Sequence, residues 1–484
     1  MDYALLFDEY RRRHAAAGWP RQRLLHEALR AAIRDGTLAA GTRLVATRTL
    51  AQELGIARNT VLYAYEQLAC EGYVVPDRRG TVVAGVAAGF DARDRQDAQA
   101  PPLLARRVRD LRPPGNVRGT APFVAGVPDL RAFPLAAWRR LLDRAWRELD
   151  HAQLDYGEAA GEPLLRAAIA DHLRASRGVV CDADQVFITD GTLGSLDLCA
   201  RACADAGDTV WIENPGYGGA LAAFRGAGLV VEGIAVDGEG MAPSLHDWSV
   251  RRPKLIYTTP SHQYPIGVVT SAARRLALID GARAAGALIV EDDYDSEFRH
   301  EGPPLAAMQG LVPDAPVLYC GTFSKTMFPA LRIGFVVVPA GLAPQLAVMR
   351  AQSAAAGRTA EQLALAEFLR SGEFALHLRR MRRLYRQRRD ALVEALGRHL
   401  GGHAVVEGAS AGMHLALRLP ADGIADVEIV RRARAQGIVV NALSAHAVPG
   451  GAPVNGLLLG YAQVPVERMD ALVERLAGVM LDRP

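Results

Sequence analysis

The chain has 484 residues, 50% of them apolar, with a formal net charge of +3 and five cysteines. That is room for two or three domains around a large core, and with no apolar run of spanning length it excludes a membrane-embedded protein. The cysteines (Cys70, Cys181, Cys199, Cys203 and Cys320) are odd in number and form no CxxC pair, which excludes a disulfide framework and leaves free thiols.

Met1 to Leu6 lacks the charged start and long apolar stretch of a signal peptide, so the expected location is the cytoplasm. Charge is uneven along the chain. Residues 1–83 hold 12 Arg against 9 acids and residues 84–120 hold 7 Arg against 4 Asp, so the N-terminal part is the basic one. An excess of this size permits nucleic-acid binding without arguing it alone.

Pattern carries that argument further. Arg21 to Asp35 places Leu25, Ala28, Leu29, Ala32 and Ile33 on one helical face and stops at Gly36. After a turn, Thr47 to Leu54 reads as a second helix with Thr47 as its N-cap. Gly55-Ile56 separates it from a third helix that opens at Ala57-Arg58 and runs to about Cys70, with Val61, Tyr65 and Leu68 inward and Arg58, Asn59 and Thr60 projecting at the start. Helix, short Gly turn and helix with polar residues leading is a helix-turn-helix. Gly72 to Val83 reads as a hairpin wing.

This segment resembles the winged-helix domain of GntR-type regulators, whose pattern is met by Arg58, Thr60-Val61, Ala64-Tyr65, Leu68 and Glu71-Gly72-Tyr73. The sequence departs from the family at Ala46-Thr47, where Pro-Ser is usual, and at Ala57, where Ser is usual. The resemblance implies an α+β winged helix-turn-helix over residues 15–85 that binds a double-stranded DNA operator through Arg48, Arg58, Asn59 and Thr60, with Arg79 and Gly80 at the wing. Residues 86–120, rich in Ala, Gly, Asp, Arg and Gln with Pro101-Pro102 and Pro113-Pro114, read as a linker.

From about residue 121 to 484, strand-like and helix-like segments alternate, which argues a mainly parallel sheet flanked by helices. Val186 to Asp190 is a strand, and Gly191-Thr192-Leu193 opens a helix whose backbone amides suit a phosphate. Leu154 to Gly157 holds Tyr156, Glu213 to Tyr217 ends the next strand, and Leu255 to Gly267 carries Tyr264. Ala287 to Asp295 is an apolar strand ending in acids, a pattern that by itself also suits a solvated loop or a metal site. Gly321 to Phe335 then holds Ser324, Lys325 and Arg332 between two apolar strands. The chain has 54 Arg and only two Lys, Lys254 and Lys325. Arg stays protonated in proteins, whereas a partly buried Lys can be an amine nucleophile.

These segments resemble the pyridoxal-phosphate (PLP) site of fold-type-I aminotransferases. The resemblance implies that Lys325 is the Schiff-base residue, that Ser324 and Arg332 hold the 5′-phosphate with Gly191, Thr192 and Leu193, and that Asp292 keeps the pyridine nitrogen protonated. It further implies that Tyr217 lies on the ring, that Tyr294 reaches the ring's phenolic oxygen and that Tyr156 reaches the neighbouring subunit's phosphate in a homodimer. Tyr264 stands where the family has an Asn to that oxygen. From Ala435 to Glu467 there is no Arg or Lys to clamp a substrate carboxylate, which leaves a more distant residue such as Arg418. A winged helix joined to such a domain resembles the MocR-type branch of the GntR superfamily. That implies a PLP-dependent transcriptional regulator sensing a small amine, an amino acid or PLP itself, the alternative being a working aminotransferase with a DNA-binding appendage.

Overall fold

The computed structural model of the protein describes residues 2–15, 18–85, 105, 107, 121–302, 305–353, 357–448 and 453–481. The linker assigned to 86–120 lies outside them apart from residues 105 and 107. The chain forms two compact units, Met1–Leu103 and Leu104–Pro484.

In the first unit, helices Arg21–Arg34, Thr47–Glu53 and Arg58–Cys70 are followed by the antiparallel hairpin β1 (Val74–Asp77) and β2 (Gly80–Val83). Leu25, Leu29 and Ile33 from the first helix meet Leu50, Val61, Ala64 and Leu68 in a core closed by Val74 and Val83. Tyr65 ties the third helix to the preceding turn by donating to the Val45 carbonyl at 2.8 Å. Thr47 is not a cap. Ala46 occupies that position without a side-chain bond, and Thr47 is already the first helical residue. A further helix, Tyr3–Arg13, is capped by Asp2 and buries Tyr3 and Phe7 in the same core.

The second unit is built on an eight-stranded sheet. Its strands are β3 (Val186–Thr189), β4 (Thr209–Asn214), β5 (Val230–Asp237), β6 (Gly240–Met241), β7 (Leu255–Thr258), β8 (Leu288–Asp293), β9 (Val317–Thr322) and β10 (Gly334–Val337), in the spatial order β3-β10-β9-β8-β7-β4-β5-β6. From β5 to β9 the neighbours β5-β4-β7-β8-β9 pair in parallel, while β10 runs antiparallel to both β9 and β3. β7 and β9 are buried along their whole length, as central strands covered on both faces are. Alternation along β4 shows the two layers. Val210 and Ile212 pack with Leu196 and Phe224 of helices Thr192–Cys203 and Gly218–Gly226, and Trp211 packs with Leu278 and Ile279 of helix Ala272–Ala285.

Beyond it lies a smaller antiparallel sheet, β11 (Val405–Glu407), β12 (His414–Arg418), β13 (Asn441–Ala442) and β14 (Gly456–Gly460), ordered β11-β12-β14-β13. Helices Glu373–Leu400 and Val466–Met480 pack together beside it. The main parallel strands all deliver their carboxyl ends to one edge, where ligands bind in open α/β sheets. Asn214, Thr258, Asp293 and Thr322 end their strands there, with Lys325 three residues beyond the last.

Candidate functional site

Consecutive strand residues point to opposite faces, and this alternation sends the neighbours Asp292 and Asp293 to different surroundings. Asp293 turns to Arg177, whose Nε donates to it at 2.7 Å, and to Tyr319, whose hydroxyl donates at 2.6 Å. That is a framework ion pair, extended by Arg177 to Ser261 at 2.7 Å. Asp292 turns the other way. Tyr257 donates to its Oδ2 at 2.8 Å, and its Oδ1, buried, has no partner among the described residues. Burial pushes the Asp292 carboxyl up to about 7, and the Tyr257 bond only partly opposes this.

Lys325 donates from Nζ to the Gly126 carbonyl at 2.6 Å. Burial lowers its ammonium from the usual lysine range, against the pull of Asp295 and Asp292. Gly126 has φ +76°, and a Cβ there would stand 3.0 Å from Nζ, so both backbone and space require glycine.

Around these two side chains lies a group of rings. Tyr264 has its centroid 5.7 Å from Tyr217, 6.0 Å from Tyr294, 5.4 Å from His414 and 5.2 Å from His446. Burial pushes the Tyr217 hydroxyl up to about 12, with Asp292 raising it further and Arg332 lowering it. Tyr294 also has partners within the protein. Its hydroxyl donates to the His262 carbonyl at 2.9 Å and lies 3.1 Å from His262 Nδ1. His262 in turn stands 3.1 Å from Asp295 Oδ2 and 3.3 Å from the Gly408 carbonyl. Ligand atoms of His262, Asp295 and His414 lie within 4.8 Å of one another, a metal-like spacing, but both nitrogens of His262 already have these protein partners.

At the strand β3 end, Gly191 (φ +78°) precedes helix Thr192–Cys203, and the Arg332 guanidinium lies 3.4 Å from where its Cβ would be. Arg332 itself has φ +52° and is exposed. A helix start, a glycine that admits close approach and a guanidinium with no ion pair among the described residues together make an anion cradle. The Ser324 amide donates to Thr322 Oγ1 at 3.2 Å, and its hydroxyl accepts from the same oxygen at 3.1 Å. The structure thus gathers Lys325, Asp292, Tyr217 and Tyr264, and sets Arg332 over Gly191 with Thr192 and Leu193 next in the chain. It does not bring Tyr156 to them within the protomer, where that ring is 95% exposed.

Sequence reasoning missed the residues that aim the others. Glu213, fully buried, accepts from Thr258 Oγ1 at 2.6 Å, Thr259 N at 3.1 Å, Thr259 Oγ1 at 2.6 Å and Gln263 Nε2 at 3.2 Å. It thereby fixes the turn that presents Tyr264. The signal was present as an acid in an otherwise apolar strand, but Tyr257, His262 and His414 carried none without the fold.

In the first unit, Arg48, Arg58, Asn59, Arg79 and Gly80 are exposed, and Thr60 is half-buried. Neighbouring arginines are engaged, Arg30 with Glu27 at 2.8 Å and Arg43 with Asp77 at 2.8 Å. No acid pairs with Arg48, Arg58 or Arg79 among the described residues. Leu62 and Tyr63 are exposed one turn beyond Arg58 and Asn59, an apolar addition to that helix face.

Comparison with known proteins bears on both units. Residues 22–83 match the family model for bacterial regulatory proteins of the gntR family, and residues 125–476 match aminotransferase class I and II. The chain is 40% identical over 467 residues to a probable rhizopine catabolism regulatory protein, MocR, of Rhizobium meliloti, covering 96% of this chain and 94% of that one. It is 33% identical to the pyridoxine biosynthesis transcriptional regulator PdxR of Corynebacterium glutamicum, covering 90% and 91%. Among solved structures, a kynurenine aminotransferase of Pyrococcus horikoshii in complex with PMP superposes with a TM-score of 0.71 at 25% identity, covering 80% of this chain and 98% of that one. The α-aminoadipate aminotransferase LysN of Thermus thermophilus, complexed with N-(5′-phosphopyridoxyl)-L-leucine, gives 0.68 at 27% identity, covering 78% and 95%. No helix among the described residues is long and apolar enough to cross a membrane.

Proposed function

The chain belongs to the MocR-type branch of the GntR family, transcriptional regulators that join a DNA-binding winged helix to an aminotransferase-like domain, and on that premise we propose that this one binds PLP at Lys325 and reads a small amine, amino acid or PLP itself there. The observation that carries the proposal is the buried Asp292 Oδ1 without a partner, on a carboxyl that burial holds near pH 7. A protonated pyridine nitrogen is the partner such an oxygen lacks.

Lys325 would hold the cofactor covalently, Asp292 its ring nitrogen and Tyr217 with Tyr264 the sides of the ring. Ser324, Arg332 and the helix start at Gly191, Thr192 and Leu193 would hold its phosphate. When bound, PLP supplies an electrophilic carbon for amines and an electron sink. The protein's part is to keep the Lys325 amine readily deprotonated by burial, to hold the Asp292 charge against the ring, and to exclude water with the Tyr217, Tyr264 and His414 rings. The exposed Tyr156 would serve the neighbouring site as Tyr156 of the partner subunit, which makes the working form a homodimer. Arg48, Arg58, Asn59, Thr60, Arg79 and Gly80 would contact the operator.

A working aminotransferase is the weaker reading. Arg418, the more distant guanidinium named as an example of a carboxylate clamp, is exposed and held by Glu407 at 3.0 and 3.2 Å. The test is footprinting of the full-length protein on its upstream DNA, with and without PLP and candidate amines, with sedimentation run alongside. A footprint changed by PLP or an amine and a sedimenting dimer support the proposal. A footprint indifferent to every one of them, or a monomer that retains PLP, overturns it.

A further inference from the structure

The surroundings of Lys325 narrow the class of molecule read there. One wall is apolar. Ala125, Ala416, Leu443 and Leu458 form a small cluster with Tyr264 and Val454 packed on it, and Ala125 immediately precedes Gly126, the acceptor of Lys325. Backbone contacts fix this arrangement. A Cβ on Gly460 would stand 2.2 Å from the Val124 carbonyl and 2.6 Å from Ala125 Cα, and Gly460 pairs with His414 across β12 and β14. The other wall is made of rings, Tyr264, Tyr294, His414 and His446.

Charge is distributed in a way that suits an amine and opposes an anion. Asp292 and Asp295 are the acids that act on Lys325. No guanidinium is hydrogen-bonded or ion-paired to Tyr264, Tyr294, His414 or His446 among the described residues. Of the polar side chains in the Arg-free stretch after Ala435, Ser444 is taken by Asp426 at 2.6 Å. Burial holds His446 neutral down to about pH 4 and holds His414 well below the ordinary histidine range, helped by His262 and Lys325. A carboxylate placed against these rings would be buried beside two acids with no guanidinium bonded to that wall among the described residues to meet it, which is costly.

Each of the two imidazoles also keeps one nitrogen unused. His414 Nε2 and His446 Nε2 are both buried and both lack a partner among the described residues, and His414 is 1% exposed. A neutral imidazole nitrogen in that state pairs with a hydroxyl.

We propose that the small molecule read beside Lys325 is a primary amine that carries hydroxyl groups and no carboxylate, its hydroxyls held by the free nitrogens of His414 and His446 beside the Tyr264 ring. The inference rests on the cofactor reading above and goes beyond it by naming a ligand class.

The test uses matched pairs in which a hydroxymethyl group replaces a carboxylate, serinol against serine and tyrosinol against tyrosine, titrated calorimetrically into the full-length protein loaded with PLP. Each amino alcohol is expected to bind at least tenfold more tightly than its amino acid. His414→Ala is expected to weaken the amino alcohols about tenfold and the amino acids little. Leu458→Arg, which introduces a guanidinium on the apolar wall, is expected to favour the amino acids. If that variant does not fold, the wild-type pairs and His414→Ala still decide. Equal or tighter binding of serine and tyrosine by the wild type overturns the inference while leaving the cofactor reading intact. A protein that never acquires the visible band of bound PLP overturns both.

Discussion

Tyr257 donates to one oxygen of Asp292 at 2.8 Å and leaves the other, also buried, with no partner among the described residues. The contrast with Asp293, one residue on, separates the two acids by role. The pair of carboxylates that the sequence presents side by side is divided by the pleat into one that braces the fold and one that faces the candidate site.

The braced acid is expected to matter to stability rather than to cofactor. Arg177→Ala removes the guanidinium from a carboxylate whose side chain is 1% exposed. Breaking such a pair from one side costs roughly 3–5 kcal/mol. Urea denaturation monitored by circular dichroism checks this, and a loss below about 1 kcal/mol would contradict the assignment.

The facing acid is expected to matter in the opposite sense. Lys325→Ala should abolish the visible absorbance of PLP-loaded protein, and Lys254→Ala, at an exposed position, should leave it. Asp292→Ala should lower cofactor retention on dialysis while changing unfolding less than Arg177→Ala. Recovery of Lys254 rather than Lys325 as the tagged residue after borohydride reduction and peptide mapping would refute the site.

On the DNA-binding unit, Arg58→Ala should cost about 1–3 kcal/mol of operator affinity if it reaches a base edge. Loss of a phosphate contact instead reduces the slope of log affinity against log salt by about one. Gel-shift titrations of the full-length protein at several salt concentrations separate these, and an unchanged affinity at every salt rules out both roles.

Stability should also carry a pH signature at His300, which stands 2.9 Å from the Tyr461 hydroxyl and 3.0 Å from the Gly412 carbonyl. Burial lowers it from 6.5 to about 4. The folded state therefore binds fewer protons than the unfolded one between those values, so its contribution is present above pH 6.5 and is lost as pH falls towards 4. Between pH 7.5 and 5 this amounts to about 2 kcal/mol. His300→Gln should lose less on that acidification than the wild type, as measured by urea midpoints. An equal loss would show that His300 does not carry it.

The helix-turn-helix was legible because three helices with clean apolar faces and a glycine between two of them leave little choice. Helix Arg58–Cys70 lies where the spacing of Val61, Tyr65 and Leu68 put it. Helix Tyr3–Arg13 was not, because only Tyr3 and Phe7 are buried and neither forms a pattern until the core they enter exists. The Lys325 loop was legible from one lysine in a chain that otherwise uses arginine. Its acceptor Gly126 lies 199 positions earlier, and no local signal links the two. Tyr294 shows the same limit, since no local signal links it to His262, whose carbonyl its hydroxyl reaches.

The scarcity of lysine reaches beyond the site. Amine-directed reagents find two lysine side chains in the whole protein, Lys325, half-buried and bonded to the Gly126 carbonyl, and Lys254, exposed just before β7. A fluorophore or surface tether coupled through a lysine therefore has a single fully exposed address, Lys254. That address survives substitution of Lys325, so wild type and Lys325→Ala can carry the same label at the same position for DNA-binding measurements.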